Sequence, residues 1–93
     1  MPLLHDKILQ HLESRGYPKT ICPSEVARSL SDDELSSLGC DNWRAAMDPI
    51  RREAWSMREQ GALDITQKGE AIMVDKLEVI RGPIRLRKKP PLA

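Results

Sequence analysis

The spacing of the hydrophobic residues changes at Gly61, and this change restricts the chain to a mixed α+β fold. Before Gly61, apolar residues recur every three to four positions, as they do on one face of a helix. After it, Leu63 and Ile65 alternate with polar residues, and so do Ile84 and Leu86, which is typical of half-buried strands. The pattern therefore predicts helices first and a small sheet at the end.

Four helical segments are predicted before Gly61. They cover residues 3–15, 23–30, a very short segment at 31–39, and 41–60. Ser31 and Glu34 form a capping box that begins the third segment, since each side chain can bond the other residue's free backbone N–H. Pro49 interrupts the fourth segment, the long helix. Because the apolar spacing continues on both sides of it, we expect a kink there, with a new helix after Asp48 as the alternative.

Short β-prone runs supply the sheet. They cover residues 20–22, 63–66, 71–74 and 84–87. The segment Gln67–Glu70 is predicted to reverse the chain, with Gly69 at positive φ. Pro83 is compatible only with a sheet edge or with the beginning of a strand. We expect one domain over residues 1–87 and a disordered, basic, proline-rich tail at 88–93.

Length and composition exclude several classes of protein. With 93 residues the chain has room for one core, which must be aliphatic because it holds no Phe. No apolar run approaches 18 residues, so no membrane span is expected. The N-terminus reaches charged residues too early for a signal peptide. Two cysteines are too few for a disulfide framework, so we expect a cytoplasmic protein with reduced thiols.

No catalytic or metal-binding pattern stands out. His5 and His11 are six positions apart and do not share a helix face, and Cys22 and Cys40 do not form a C-x-x-C pair. The glycine-rich, G-x-S-x-G and H-E-x-x-H motifs of common enzymes do not occur. We expect no enzymatic activity, no cofactor and no metal.

The predicted order of elements is that of a winged helix-turn-helix, with three helices, a short extra helical turn, and a small antiparallel sheet that carries a wing hairpin. Five sequence runs also match a known pattern. They are Cys22–Arg28, Trp43–Arg44, Pro49–Arg52, Ile65–Gly69 and Arg81–Leu86. In these runs the chain resembles a family of small bacterial winged-helix proteins described only as a domain of unknown function. The resemblance implies the winged-helix fold and no particular activity, and Trp55 departs from it.

Charge is distributed unevenly, and this suggests a polyanionic partner. Residues 1–42 carry four basic and seven acidic side chains, whereas residues 43–93 carry eleven and seven. If the long helix is continuous, Arg44, Arg51 and Arg58 lie along one side of it. We expect these arginines to face a DNA groove or its phosphates. Lys68, Arg85 and Arg87 would then meet the flanking backbone. The resulting hypothesis is binding of duplex DNA in a transcription-related role.

The alternative is a protein-interaction module on the same scaffold. Charged residues opposite an apolar stripe are typical of any solvated helix, and Asp48, Glu53 and Glu59 dilute the positive charge of this one. The acidic segment at 31–39 would repel DNA, and either this segment or the same helix face could dock a protein instead. For the two tryptophans, we expect Trp43 in the core and Trp55 packed partly against the hairpin, with base stacking as the alternative for Trp55. The oligomeric state, monomer or dimer, stays open.

Overall fold

A computed structural model of the chain describes residues 2–74 and 76–90. Its helices are α1 (Pro2–Arg15), α2 (Pro23–Arg28), α3 (Asp32–Ser37) and α4 (Met47–Glu59), with 3₁₀ segments at Trp43–Ala46 and Leu77–Val79. Its strands are β1 (Thr20–Ile21), β2 (Leu63–Gln67), β3 (Glu70–Ala71) and β4 (Arg85–Lys88). The predicted α+β class is confirmed. Within the described residues, four α-helices and an antiparallel four-stranded sheet form an arrangement compatible with a winged helix.

The sheet places the last strand between the first two. Its order is β1-β4-β2-β3, and every pairing is antiparallel. Leu86 lies opposite Ile21 on one side and opposite Ile65 on the other, and all three side chains are buried. The burial predicted for Leu63, Ile65, Ile84 and Leu86 is confirmed, although Thr66 is buried as well, and the buried face of the sheet forms one wall of the core.

The helices supply the other wall. Leu4, Ile8 and Leu12 of α1 are buried, as the helical spacing predicts. From α4, Ile50 and Met57 enter the same cluster and are fully buried. Burial of one such side chain contributes roughly 1.5–3 kcal/mol, so these positions carry much of the stability of a chain this small.

The expected kink at Pro49 is wrong. The chain forms a 3₁₀ segment at Trp43–Ala46 and then begins α4 at Met47, so Pro49 is the third residue of the α-helix. A backbone N–H in the first helical turn has no partner inside the helix, and proline therefore fits there at no hydrogen-bonding cost. The change of helix type also breaks the continuous phase that was assumed to join Arg44 to Arg51.

Two strand boundaries differ from the prediction. The returning strand is only Glu70–Ala71, although Ile72 still donates its N–H to Ile65. The last strand begins at Arg85 and includes Lys88, which the sequence pattern assigns to the tail. Lys88 stays in the strand because it pairs with Leu63 across the sheet and its ammonium group contacts Glu13 on α1. Residues 91–93 of the predicted tail lie outside the described residues.

Residues 68–84, here called the β2–β4 connection, begin with a tight turn. Lys68 and Gly69 both have positive φ, of 53° and 83°, which is the geometry of a type I′ hairpin turn. The reversal at Gln67–Glu70 and the positive φ of Gly69 are therefore confirmed. Farther along, Ile72 and Leu77 pack against the core and Ile80 is buried within it. The connection therefore folds back onto the domain.

Candidate nucleic-acid interface

Two arginines lie over the indole of Trp43. The guanidinium carbons of Arg28, at the end of α2, and of Arg44 each lie 4.6 Å from the centre of the ring. Asn42 orients the segment, since its side-chain oxygen accepts the N–H of Ala45 and begins the 3₁₀ turn.

The core position expected for Trp43 is therefore wrong in part. The side chain is half-buried and packs against the core cluster, but two guanidinium groups lie over its ring. A guanidinium over an indole is attracted by the negative face of the ring, by about 0.5–1 kcal/mol at an exposed site. Each arginine also keeps its N–H edge free for another acceptor, because stacking uses only its flat face.

A second cationic feature is a groove beside the first half of α4. This helix groove, of about 430 Å³, is lined by Arg44, Met47, Asp48, Arg51, Arg52, Leu77 and Glu78. Asp48 and Arg52 pair with each other at 2.6 Å, so their charges largely cancel. Arg51 is half-buried and has no described carboxylate within ion-pair distance. Arg44 and Arg51 thus line one groove, but Arg58, the third residue of the predicted row, does not, and Glu78 lies beside them.

A third feature is a groove between the hairpin and the start of β4. This hairpin groove, of about 500 Å³, is lined by Cys22, Gln67, Lys68, Arg81, Gly82, Pro83, Ile84 and Arg85. Three of these residues are cations and none is a carboxylate. The structure therefore brings Lys68 and Arg85 to one groove and places Arg81 beside them.

Gln67 fixes the shape of the hairpin groove. Its side-chain amide donates to the carbonyl oxygens of Arg81, at 2.6 Å, and Pro83, at 3.3 Å. The chain turns around this amide at Gly82, whose φ of 83° favours glycine. On the opposite wall, the Nε of Arg85 donates to the Thr20 hydroxyl at 2.7 Å. The groove is thus formed before any ligand arrives.

Two of the predicted contact residues serve the fold instead. Arg58 stacks on Trp55, with 4.5 Å from its guanidinium carbon to the ring centre, and donates to the carbonyl of Ile72 at 3.0 Å. Arg87 is half-buried and pairs with Asp64 at 3.3 Å. Neither guanidinium belongs to the two grooves, because each is held by groups that join elements of the fold.

Trp55 packs inside the protein, and base stacking at this position is excluded by its burial. Only 9% of its surface is exposed, and it belongs to the core cluster. It shares a groove with Lys76 and Leu77 of the β2–β4 connection. Trp55 is therefore packed inside the protein, as expected, but it is buried more fully than the predicted partial packing. The reason is that the β2–β4 connection folds over this side of α4.

Several carboxylates near the sheet and on the N-terminal helices already have partners. The ion pairs are Lys89–Asp64, Arg87–Asp64, Arg15–Glu25, Lys7–Glu34 and Lys88–Glu13. Burial raises the pKa of Asp64, but hydrogen bonds from Lys89 and Arg87 outweigh this and leave it below its ordinary value. The backbone N–H of Cys22, with help from Arg15, likewise lowers the pKa of Glu25.

Sequence reasoning missed Arg28 as a candidate and counted Arg81 only among the C-terminal cations that would extend the positive surface. Arg28 is fifteen positions before Trp43, so no local spacing links the two side chains. Arg81 lies in a loop whose path depends on the Gln67 contacts. The only available signal was the run Arg81-Gly82-Pro83, in which Gly-Pro indicates a turn.

Residues 2–74 and 76–90 hold no group of three or more His, Cys, Asp and Glu side chains that could bind a metal ion. No helix in this part of the chain is long and apolar enough to cross a membrane.

Comparison with known families adds one finding. The profile of the family described as "Protein of unknown function (DUF3253)" matches residues 2–89. The chain belongs to this family. The match covers almost the whole chain, which agrees with the resemblance found from the sequence runs, and the family's description assigns it no activity. A search of curated proteins finds no match.

Proposed function

We propose that this member of the family binds nucleic acid, specifically duplex DNA, on a winged-helix scaffold and without catalysis. The interface comprises Arg28, Arg44 and Arg51 around the start of α4, and Lys68 and Arg85 at the hairpin meet the flanking phosphates. The observation that carries the proposal is the Arg28–Trp43–Arg44 stack, in which two guanidinium groups lack a described carboxylate partner.

Charge segregation supports this assignment. Two carboxylates are engaged with other cations in the pairs Arg15–Glu25 and Arg87–Asp64, whereas Glu78 lies in the helix groove beside Arg44 and Arg51. The cations of the hairpin groove face no carboxylate in its lining. Arginine is suited to this role because its planar fork matches phosphate oxygens and the acceptor edge of guanine.

The residues that cover α4 determine which part of this helix can approach DNA. The second half of the helix is covered by the β2–β4 connection at Trp55 and Arg58, so it cannot lie along a major groove over its whole length. The exposed N-terminal end, with Arg44 on the 3₁₀ segment, is the part that can approach DNA. Contact by the beginning of the recognition helix is common in helix-turn-helix proteins.

A salt titration of duplex binding tests the proposal. Each phosphate contact contributes about 0.9 to the slope of log affinity against log salt, so four to six contacts give a slope of about −4 to −5. The measurement is fluorescence anisotropy of a labelled duplex at several salt concentrations. No binding to any duplex in about 50 mM salt, where electrostatic binding is strong, would end the proposal.

Matched charge removals locate the interface. Arg28→Gln with Arg44→Gln should weaken binding at least tenfold and reduce the salt slope by about 2. Lys19→Gln is the control, because Lys19 is exposed, has no described partner and lines neither groove. Equal losses from the control and from the arginine pair would indicate nonspecific attraction and contradict the assigned surface.

A protein-interaction role is the second candidate, and one observation favours it. Met73 is 87% exposed and Val74 is 37% exposed, and Ile72 alone separates them from the end of the short edge strand β3. An extended apolar segment of a partner could add to that edge. This alternative predicts weak duplex binding that does not depend on salt. It also predicts that Met73→Ser abolishes partner binding, whereas Arg51→Glu leaves the affinity for duplex DNA unchanged.

A further inference from the structure

We propose that the hairpin groove is a binding site for a small organic phosphate, whose phosphate lies between Lys68 and Arg81 and whose apolar body packs on Pro83. The site does not include Arg28 or Arg44, although it shares Lys68 and Arg85 with the flanking phosphate contacts proposed above. It could be occupied even in a chain that binds no duplex. Its chemical class follows from the groove's size, its charge and its fixed walls.

The size and the lining indicate a small molecule. A volume of about 500 Å³ falls within the range of ligand pockets. The groove has an apolar wall formed by Gly82, Pro83 and Ile84. The rest of its lining includes the cations Lys68, Arg81 and Arg85. An inorganic ion would make no contact with the apolar wall, whereas a neutral apolar molecule would form no ion pair with the cations. A phosphate monoester with an apolar group makes both kinds of contact.

The walls are held in place without a ligand. The Gln67 amide joins β2 to the turn at Arg81–Pro83 through two carbonyl oxygens. Lys68 is fixed at positive φ by the hairpin turn, so its side chain leaves the backbone in a set direction. Preorganised groups lose less entropy on binding, and this favours recognition by a few well-placed donors.

The three cations of the groove are not equivalent. Arg85 donates to Thr20, and its charge acts on the Glu25 carboxylate, whose pKa it helps to lower. Lys68 and Arg81 are exposed and have no described carboxylate partner. We therefore expect Lys68 and Arg81 to supply most of the phosphate contact, and Arg85 to contribute less.

The test is an NMR titration of the ¹⁵N-labelled full chain with three probes: phenyl phosphate, inorganic phosphate and phenol. The expected result is saturable shifts at the backbone amides of Lys68, Gly82 and Ile84 with phenyl phosphate, and a Kd on the order of 1 mM, as befits a ligand this small. Inorganic phosphate should bind several-fold more weakly and phenol should not saturate. Equal affinity for the two phosphates would overturn the apolar part of the site, and the absence of saturation would overturn the whole.

Variants separate this site from general attraction. Arg81→Gln should weaken phenyl phosphate binding about tenfold, through loss of one charge-assisted hydrogen bond, and Arg85→Gln should weaken it less. Lys76→Gln is the matched control, since Lys76 lies on the same connection but outside the groove. A control loss as large as that of Arg81→Gln would overturn the proposal. Gln67→Leu removes no charge, yet it should weaken phenyl phosphate binding because the two hydrogen bonds that hold the Arg81–Pro83 turn are lost.

Discussion

Arg58 lies over the indole of Trp55, and the same guanidinium group donates a hydrogen bond to the carbonyl of Ile72. The guanidinium carbon is 4.5 Å from the ring centre, and the hydrogen bond measures 3.0 Å. One side chain thus joins α4 to the residue that follows β3. This arrangement accounts for the burial of Trp55 on the side of α4 opposite the main core stripe.

Arg58→Ala should lower the free energy of unfolding by about 1–2 kcal/mol, because it removes a ring contact and a hydrogen bond to a half-buried carbonyl. Duplex affinity of the folded protein should stay unchanged, since this guanidinium faces the fold. Urea denaturation and anisotropy measure the two effects. Arg52→Ala is the comparison on the same helix, where the exposed pair with Asp48 predicts a change under about 1 kcal/mol. A large loss of duplex binding from Arg58→Ala would contradict the structural role assigned to it.

Trp43→Leu should weaken duplex binding three- to tenfold while both arginines remain present. The indole orders the guanidinium groups of Arg28 and Arg44, and leucine keeps an apolar contact with the core but offers no ring face. Anisotropy with the labelled duplex checks this. Trp43→Phe is the conservative variant, and it should recover most of the affinity. Full affinity in Trp43→Leu would show that the stack does not organise the interface.

Lys68→Gly should raise stability and lower anion affinity at the same time. Lys68 has a φ of 53°, a conformation that costs an L-residue about 1 kcal/mol more than glycine. Thermal unfolding should therefore show a gain of about 0.5–1 kcal/mol, after the added flexibility of the unfolded chain is taken into account. Phenyl phosphate binding should weaken in the same variant. Lys68→Asn, which tolerates the same backbone conformation, separates loss of charge from relief of strain.

The stability of the protein should fall in acid, and Asp64 should contribute a measurable part of the fall. The pKa of Asp64 lies below its ordinary value of 3.8, and that of Glu25 lies below 4.5. Between the folded and unfolded pKa values the unfolded chain binds more protons, so stability rises with pH there. The stabilisation is complete above about pH 5 and is lost as the pH falls through the lowered pKa values.

Asp64→Asn should flatten this pH dependence. At neutral pH the variant should be less stable by about 1–3 kcal/mol, because Arg87 is half-buried and loses its carboxylate partner. Chemical denaturation at several pH values between 3 and 7 measures both effects. Asp6→Asn is the control, since Asp6 is exposed on α1 and has no described ion pair. An unchanged pH profile in Asp64→Asn would show that this carboxylate does not contribute to the loss of stability in acid.

The sequence by itself determined the features that depend on neighbouring residues. Helical spacing placed Leu4, Ile8 and Leu12 in the core, and the capping box at Ser31 and Glu34 formed as expected, with Glu34 accepting the Ser31 N–H at 2.9 Å. These outcomes depend on interactions within a few residues of the chain, where periodicity and capping rules apply.

Tertiary structure decided which cations are free. Arg44, Arg51 and Arg58 have the same seven-residue spacing, yet Arg58 is held by Trp55 and Ile72 while Arg44 stays exposed on Trp43. Arg28 and Arg81 join the candidate sites through contacts that no local spacing encodes. The physical reason is that a guanidinium group binds whatever acceptor or ring the fold brings within reach, and that partner is set by the packing of distant segments.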